Sequence, residues 1–93
     1  MTTEVKASHI LVETQDEALN LLNEIKSGKA FGDVAAMHSL CPSGAAGGDL
    51  GYFGRGVMVK PFEDAAFDLE VGEISEPVKT QFGWHLIQLT DKK

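Results

Sequence analysis

A chain of 93 residues with 43% hydrophobic and 24% charged side chains has the make-up of one globular domain, residues 1–93. At this size only about 60–65% of the unfolded surface can be buried, so the core is modest. Eight basic against fourteen acidic residues give a net charge of −6, which argues against nucleic acid, because phosphate-backbone binders concentrate Lys and Arg.

No apolar run approaches the roughly 20 residues of a membrane span, so membrane insertion is not expected. Met1-Thr2-Thr3-Glu4 lacks the basic-then-apolar pattern of a secretory leader, and a cytoplasmic protein is expected. The single cysteine, Cys41, cannot form an internal disulfide.

Residues 5–12 are β-branched and apolar enough for a buried central strand. Its period of two puts Ala7, His9 and Leu11 on one face and Ser8, Ile10 and Val12 on the other. Thr14 and Glu17 then fit a capping box, opening a helix with an Ala18, Leu21, Leu22, Ile25 stripe that Gly28 ends. Lys26 and Lys29 read as a solvated helix face, with a small basic patch as the sharper alternative.

A second short helix should align Phe31, Val34, Ala35 and His38. Pro42 and the glycines up to Gly48 read as a loop, and residues 49–53 as a short strand. Pro61 suits the first turn of a third helix carrying Phe62, Ala65, Ala66 and Leu69. Residues 76–80, a turn at 81–83 and residues 84–89 complete a hairpin. The order β-α-α-β-α-β-β, with a further short helix allowed, implies a small α+β fold.

His9 and His85 both fall inside strands, where a histidine is commonly a satisfied core residue. Two of them on strands that could pair centrally suggest a mutual hydrogen bond, each ring fixing the other's tautomer. Cys41 allows three roles: nucleophile of a hydrolase, metal ligand with His9, His38 and His85, or a polar group lining a noncovalent site. No CxxC, HxH or HExxH spacing supports the first two, so no metal is expected. The glycine-rich 44–49 segment lacks the Lys-Ser/Thr of a P-loop and precedes a strand, so it is not a phosphate cradle.

Four blocks in order carry a resemblance. They are Ala7-Ser8-His9-Ile10-Leu11-Val12; residues 38–44 with Gly47-Gly48-Asp49-Leu50-Gly51; residues 57–63, from Val57 through Met58 and Phe62 to Glu63; and residues 77–85, from Pro77 to His85. Together they resemble the parvulin family of peptidyl-prolyl cis/trans isomerases over nearly the whole chain. The resemblance implies a four-stranded antiparallel sheet surrounded by helices, no cofactor, and proline-containing polypeptides as substrates of a monomer that assists protein folding. It implies that His9, His85, Cys41 and Thr80 share a catalytic polar network. Leu50, Met58 and Phe62 would grip the proline ring, with Phe82 near the rim. No WW-type aromatic module precedes Val5, which fits the minimal single-domain form.

Rotation about a peptide bond faces a barrier of roughly 18–20 kcal/mol from C–N double-bond character. An apolar pocket that disfavours the charge-separated planar amide lowers it with no covalent step. A thiolate forms readily beside a positive group, and no Lys or Arg adjoins Cys41 in sequence, so a noncovalent role is expected. Leu40 stands before Cys41 where certain relatives have an acidic residue. The 13–16 connection is short and acidic where phosphate-directed relatives have a longer basic loop, so phosphorylated substrates are not expected. The alternative is a noncatalytic peptide-binding or chaperone module of the same fold.

Overall fold

The computed structural model describes residues 2–93. Strands β1 (Glu4–Val12), β2 (Asp49–Gly54), β3 (Val78–Thr80) and β4 (Gly83–Lys92) form one antiparallel sheet in the order β2-β1-β4-β3. The first and last strands of the chain therefore pair at its centre. Their register sets Ala7 opposite Leu89, His9 opposite Ile87 and Leu11 opposite His85.

Helices α1 (Gln15–Lys26) and α2 (Phe31–His38) cover one face of this sheet and α3 (Lys60–Asp68) part of the other. Thr14 holds an extended conformation and its Oγ1 accepts the Glu17 N–H at 3.2 Å, satisfying an orphan donor of the first turn. Asp16 and Glu17 at that end and Lys26 at the other complement the helix dipole. Ala18, Leu21 and Leu22 of α1 and Phe31, Val34 and Ala35 of α2 pack on Ile10, Val12 and Leu86. On the opposite face Val5, Ala7, Ile87 and Leu89 meet Phe53 of β2 and Phe62, Ala66 and Leu69 of α3. Successive strand residues point to opposite faces, so each central strand supplies both cores.

Four expectations change. Residues 41–48 are not plain loop: Pro42–Ala46 winds into a 3-10 helix, closed by Gly47 N–H to Gly44 O at 2.9 Å and Gly48 N–H to Ser43 O at 2.8 Å. His38 does not join the buried face of α2; it is the last helical residue and its ring is exposed, where water serves an imidazole as well as a partner would. β3 begins at Val78, because Pro77 has no N–H to give the ladder. The turn before β4 is Gln81–Phe82 alone, since Gly83 already pairs with Thr80.

Candidate active site

His9 and His85 sit diagonally on one face of the central strand pair, two residues out of direct register. Their Nδ1 atoms lie 3.0 Å apart, with the rings stacked at 18° and centroids 5.2 Å apart. The Phe62 ring meets both edge-on, with centroids 5.5 Å from His9 and 5.2 Å from His85. Both histidines are buried, and the chain of contacts runs on from each outer nitrogen. His85 Nε2 is 2.8 Å from Thr80 Oγ1, and His9 Nε2 is 3.2 Å from Ser43 Oγ.

The proton inventory gives this chain a direction. Ser43 Oγ–H donates to Cys41 Sγ at 3.3 Å, so the same oxygen accepts from His9 Nε2–H. His9 Nδ1 is then an acceptor, and His85 Nδ1–H donates to it. That leaves His85 Nε2 to accept from Thr80 Oγ1–H, while Thr80 Oγ1 accepts the Phe82 N–H at 3.1 Å. The tautomers follow from this assignment of hydrogens. Each hydroxyl and ring N–H along the path has an acceptor, and among the described residues no buried side-chain nitrogen or oxygen is unpaired.

The environment keeps both rings uncharged. Burial lowers the His9 pKa below its ordinary value. Burial, and then repulsion from His9, take His85 from 6.5 to about 4. At neutral pH the pair is a neutral dipolar bridge.

Above the histidines opens a cleft of about 420 Å³, within the range of roughly 300–1,000 Å³ common for ligand sites. Leu50, Met58 and Phe62 line it with Leu11, Val57 and Val59; His9, His85 and Cys41 supply its polar side. Phe82 and Val57 stand at the rim with 61% and 67% of their surface exposed. The cleft thus unites His9, Cys41, Leu50, Met58, Phe62, Phe82 and His85, with Thr80 buried behind His85. Phe62 is 3% exposed and belongs to the α3 core as well as to the cleft, because the cleft's floor is the end of that core.

Sequence reasoning missed both serines of the site. Ser43 links His9 to Cys41, and Ser39 Oγ accepts the N–H groups of Leu11 at 3.1 Å and Cys41 at 3.3 Å. The spacing of Ser39, Cys41 and Ser43 at every second position was the available signal. Gly48 explains part of the glycine-rich stretch: a Cβ there would lie 2.3 Å from the His9 carbonyl oxygen, and its φ is +84°. Its own carbonyl accepts the His9 N–H at 2.9 Å, so close backbone approach fixes the strand bearing the histidine. Among the described residues no three His, Cys, Asp or Glu side chains are grouped to hold a metal ion.

A four-stranded antiparallel sheet with a neutral histidine pair under an apolar cleft defines a parvulin-type domain. The PPIC-type PPIASE domain model of the rotamase family matches residues 2–91, and the chain belongs to that family. It is 52% identical over 91 residues to foldase protein PrsA 1 of Bacillus cereus, an alignment covering 97% of this chain and 32% of the foldase. The chain thus spans about a third of the length of such curated relatives. A crystal structure of the peptidylprolyl isomerase PrsA from Bacillus anthracis superimposes with a TM-score of 0.97 at 44% identity, covering 99% of this chain and 43% of that one. The solution structure of NmPin, the parvulin of Nitrosopumilus maritimus, matches at 0.88 and 50% identity, covering 98% of this chain and 99% of that one.

Proposed function

We propose that this chain catalyses cis/trans isomerisation of X-Pro bonds in unfolded or partly folded polypeptides, by a noncovalent mechanism, and so assists folding. The observation that carries this reading is the apolar Leu50, Met58, Phe62 cleft placed directly on the neutral His9–His85 pair. A planar amide is stabilised by charge separation, with negative charge on its oxygen; twisting the C–N bond removes it. An apolar wall withholds the water that favours the planar form, and neutral imidazoles add no full positive charge that would favour it. The proline ring seats among the apolar side chains while the preceding carbonyl rotates past Cys41. Binding energy is thereby used where the amide is twisted.

Cys41 acts in this reading as a polar neighbour of the rotating carbonyl. Its side-chain hydrogen-bond partner is the Ser43 hydroxyl, which in turn meets His9 Nε2. A thiol nucleophile needs a base within direct reach. The lining holds no Lys or Arg, so nothing in it matches the −1.5 to −2 charge, roughly, of a phosphate before proline.

The test is an NMR exchange or protease-coupled assay on matched X-Pro peptides, repeated with a chelator present. Accelerated interconversion in both arms is expected, with Ser-Pro peptides turned over faster than phosphoSer-Pro ones at low and high salt. Binding without acceleration would instead identify a peptide-holding module, and a winning phosphopeptide would overturn the substrate reading.

A further inference from the structure

Glu63 lies on α3, one residue beyond Phe62, and its carboxylate is buried, with 6% of the residue exposed. A carboxylate leaves water only when its oxygens find donors. Here Oε1 accepts the Gly56 N–H at 2.6 Å and Oε2 accepts from Arg55 Nη1 at 3.1 Å. The backbone of the same residue ties the far end of the segment, Glu63 N–H donating to the Val59 carbonyl at 3.0 Å. One residue therefore grips both ends of the 55–59 loop, which carries Val57, Met58 and Val59 into the cleft. Arg55 is fixed in turn, its guanidinium 4.3 Å from the centre of the Phe67 ring and 3.7 Å from Asp64.

We propose that Glu63 is a positioning residue: its carboxylate clasps Gly56 and Arg55 so that the 55–59 loop presents Met58 to the substrate proline in one fixed position. The proposal rests on the reading of the cleft as the proline site. Stability alone is a poor reason for the arrangement, because the Arg55 side chain is largely exposed and an ion pair with a solvated partner contributes little. A loop held in its bound conformation before the substrate arrives, by contrast, loses less freedom on binding. Glu63 touches no reacting atom. Removing the clasp should weaken capture in ground and transition state alike, which raises KM and spares kcat.

The test uses the full chain and four variants: Glu63→Ala, Glu63→Gln, Arg55→Ala and Met58→Ala. Each is assayed on one X-Pro peptide at a temperature where circular dichroism shows it folded. Glu63→Ala should raise KM about tenfold, the weight of one charge-assisted hydrogen bond, with kcat within about twofold. Glu63→Gln keeps an acceptor for the Gly56 N–H, and Arg55→Ala keeps that hydrogen bond intact, so each should raise KM by only about threefold. In methyl NMR the Met58 signal should move in all three, while the His9 and His85 ring signals stay in place.

If Glu63→Ala does not fold, the other two variants decide. Wild-type KM with an unmoved Met58 methyl in Glu63→Gln and Arg55→Ala overturns the proposal. So does a fall in kcat accompanied by displaced histidine signals, which marks general structural damage. Met58→Ala separates the two readings. If it leaves both KM and kcat unchanged, the proline site is elsewhere; if it lowers kcat/KM while the clasp variants do not, only the role of Glu63 fails.

Discussion

The two faces of the sheet are built from the same pair of strands yet do different work. On one, Ile10, Val12 and Leu86 are sealed by α1 and α2, and every side chain in that cluster is apolar. On the other, the nine-residue α3 covers Val5, Ala7, Ile87 and Leu89, and its cover ends at Phe62 in its first turn, leaving Leu11, His9 and His85 under an open cleft. Alternation along β1 and β4 means that no residue has to serve both faces. One face can be optimised for packing while the other keeps a polar bridge and an open cleft. Where α3 meets the cleft the division fails, and Phe62 is at once core and pocket wall.

The largest separation should come from truncations on opposite sides. Leu86 has no exposed surface, so Leu86→Ala should lower stability by about 2–5 kcal/mol while the surviving folded molecules turn over normally. Met58→Ala, at the half-buried rim, should do the reverse, with little shift in the urea midpoint and a strong loss of kcat/KM. Phe62→Ala should fail in both assays, because its ring closes the core and touches both histidines. Chemical denaturation and peptide exchange on the same three samples check this. A Met58→Ala variant that unfolds like Leu86→Ala would erase the distinction between the faces.

Acid should act through the histidine face. Unfolded, His85 takes up a proton near pH 6.5; folded, it resists until about pH 4. Between those values the unfolded chain binds more protons, so stability is full above about 6.5 and falls as the pH drops toward 4. The contribution is ~3 kcal/mol at most, at about 1.4 kcal/mol per pH unit. His9, lowered by the same burial, acts in the same direction. Carboxylates titrate in this window too, so the measurement is the difference in pH slope between wild type and His85→Asn. Equal slopes would contradict a neutral buried pair.

The elements that proved legible in the sequence are those with a local period or a local partner. Residues 5–12 alternate, Thr14 caps a helix three residues away, and Pro61 marks the start of α3. The site was legible as far as strand faces placed His9 and His85 together and the parvulin resemblance extended the pattern to Thr80, Leu50 and Met58. What stayed hidden depends on contacts between distant segments. Ser39 and Ser43 reach back to Leu11 and His9 across 28 and 34 positions, and Glu63 bonds a loop that no periodicity predicts. His38 shows the converse, since helical spacing gave it a buried face that the short helix does not provide.

The hydrogen bond between the rings can be isolated by a double-mutant cycle. His9→Asn or His85→Asn alone should cost about 1–3 kcal/mol, because each leaves a buried partner incompletely satisfied. The double variant should cost less than the sum, with a coupling of about 0.5–3 kcal/mol. Strictly additive losses would mean that the 3.0 Å contact contributes nothing by itself.

The smallest effect is expected at Cys41, although the proposed pose turns the carbonyl past it. If the sulfur attacked that carbonyl, removing it would abolish chemistry, as loss of a nucleophile lowers kcat by about 10⁶-fold in well-studied hydrolases. If it only accepts from Ser43 and lends polarity to the cleft, Cys41→Ser preserves an acceptor in nearly the same place. The variant should therefore stay within about tenfold of wild type in kcat/KM, with unchanged substrate order. Cys41→Ala leaves the Ser43 hydroxyl without its sulfur partner, yet Ser43 is only half-buried and water can take that place, so its folding stability should barely change. The two roles also differ under mass spectrometry, because addition of the thiol to an activated ester analogue of the substrate would leave an acyl group on Cys41. Recovery of that adduct, together with loss of all turnover in Cys41→Ser, would move the sulfur from the wall of the cleft to the reaction itself.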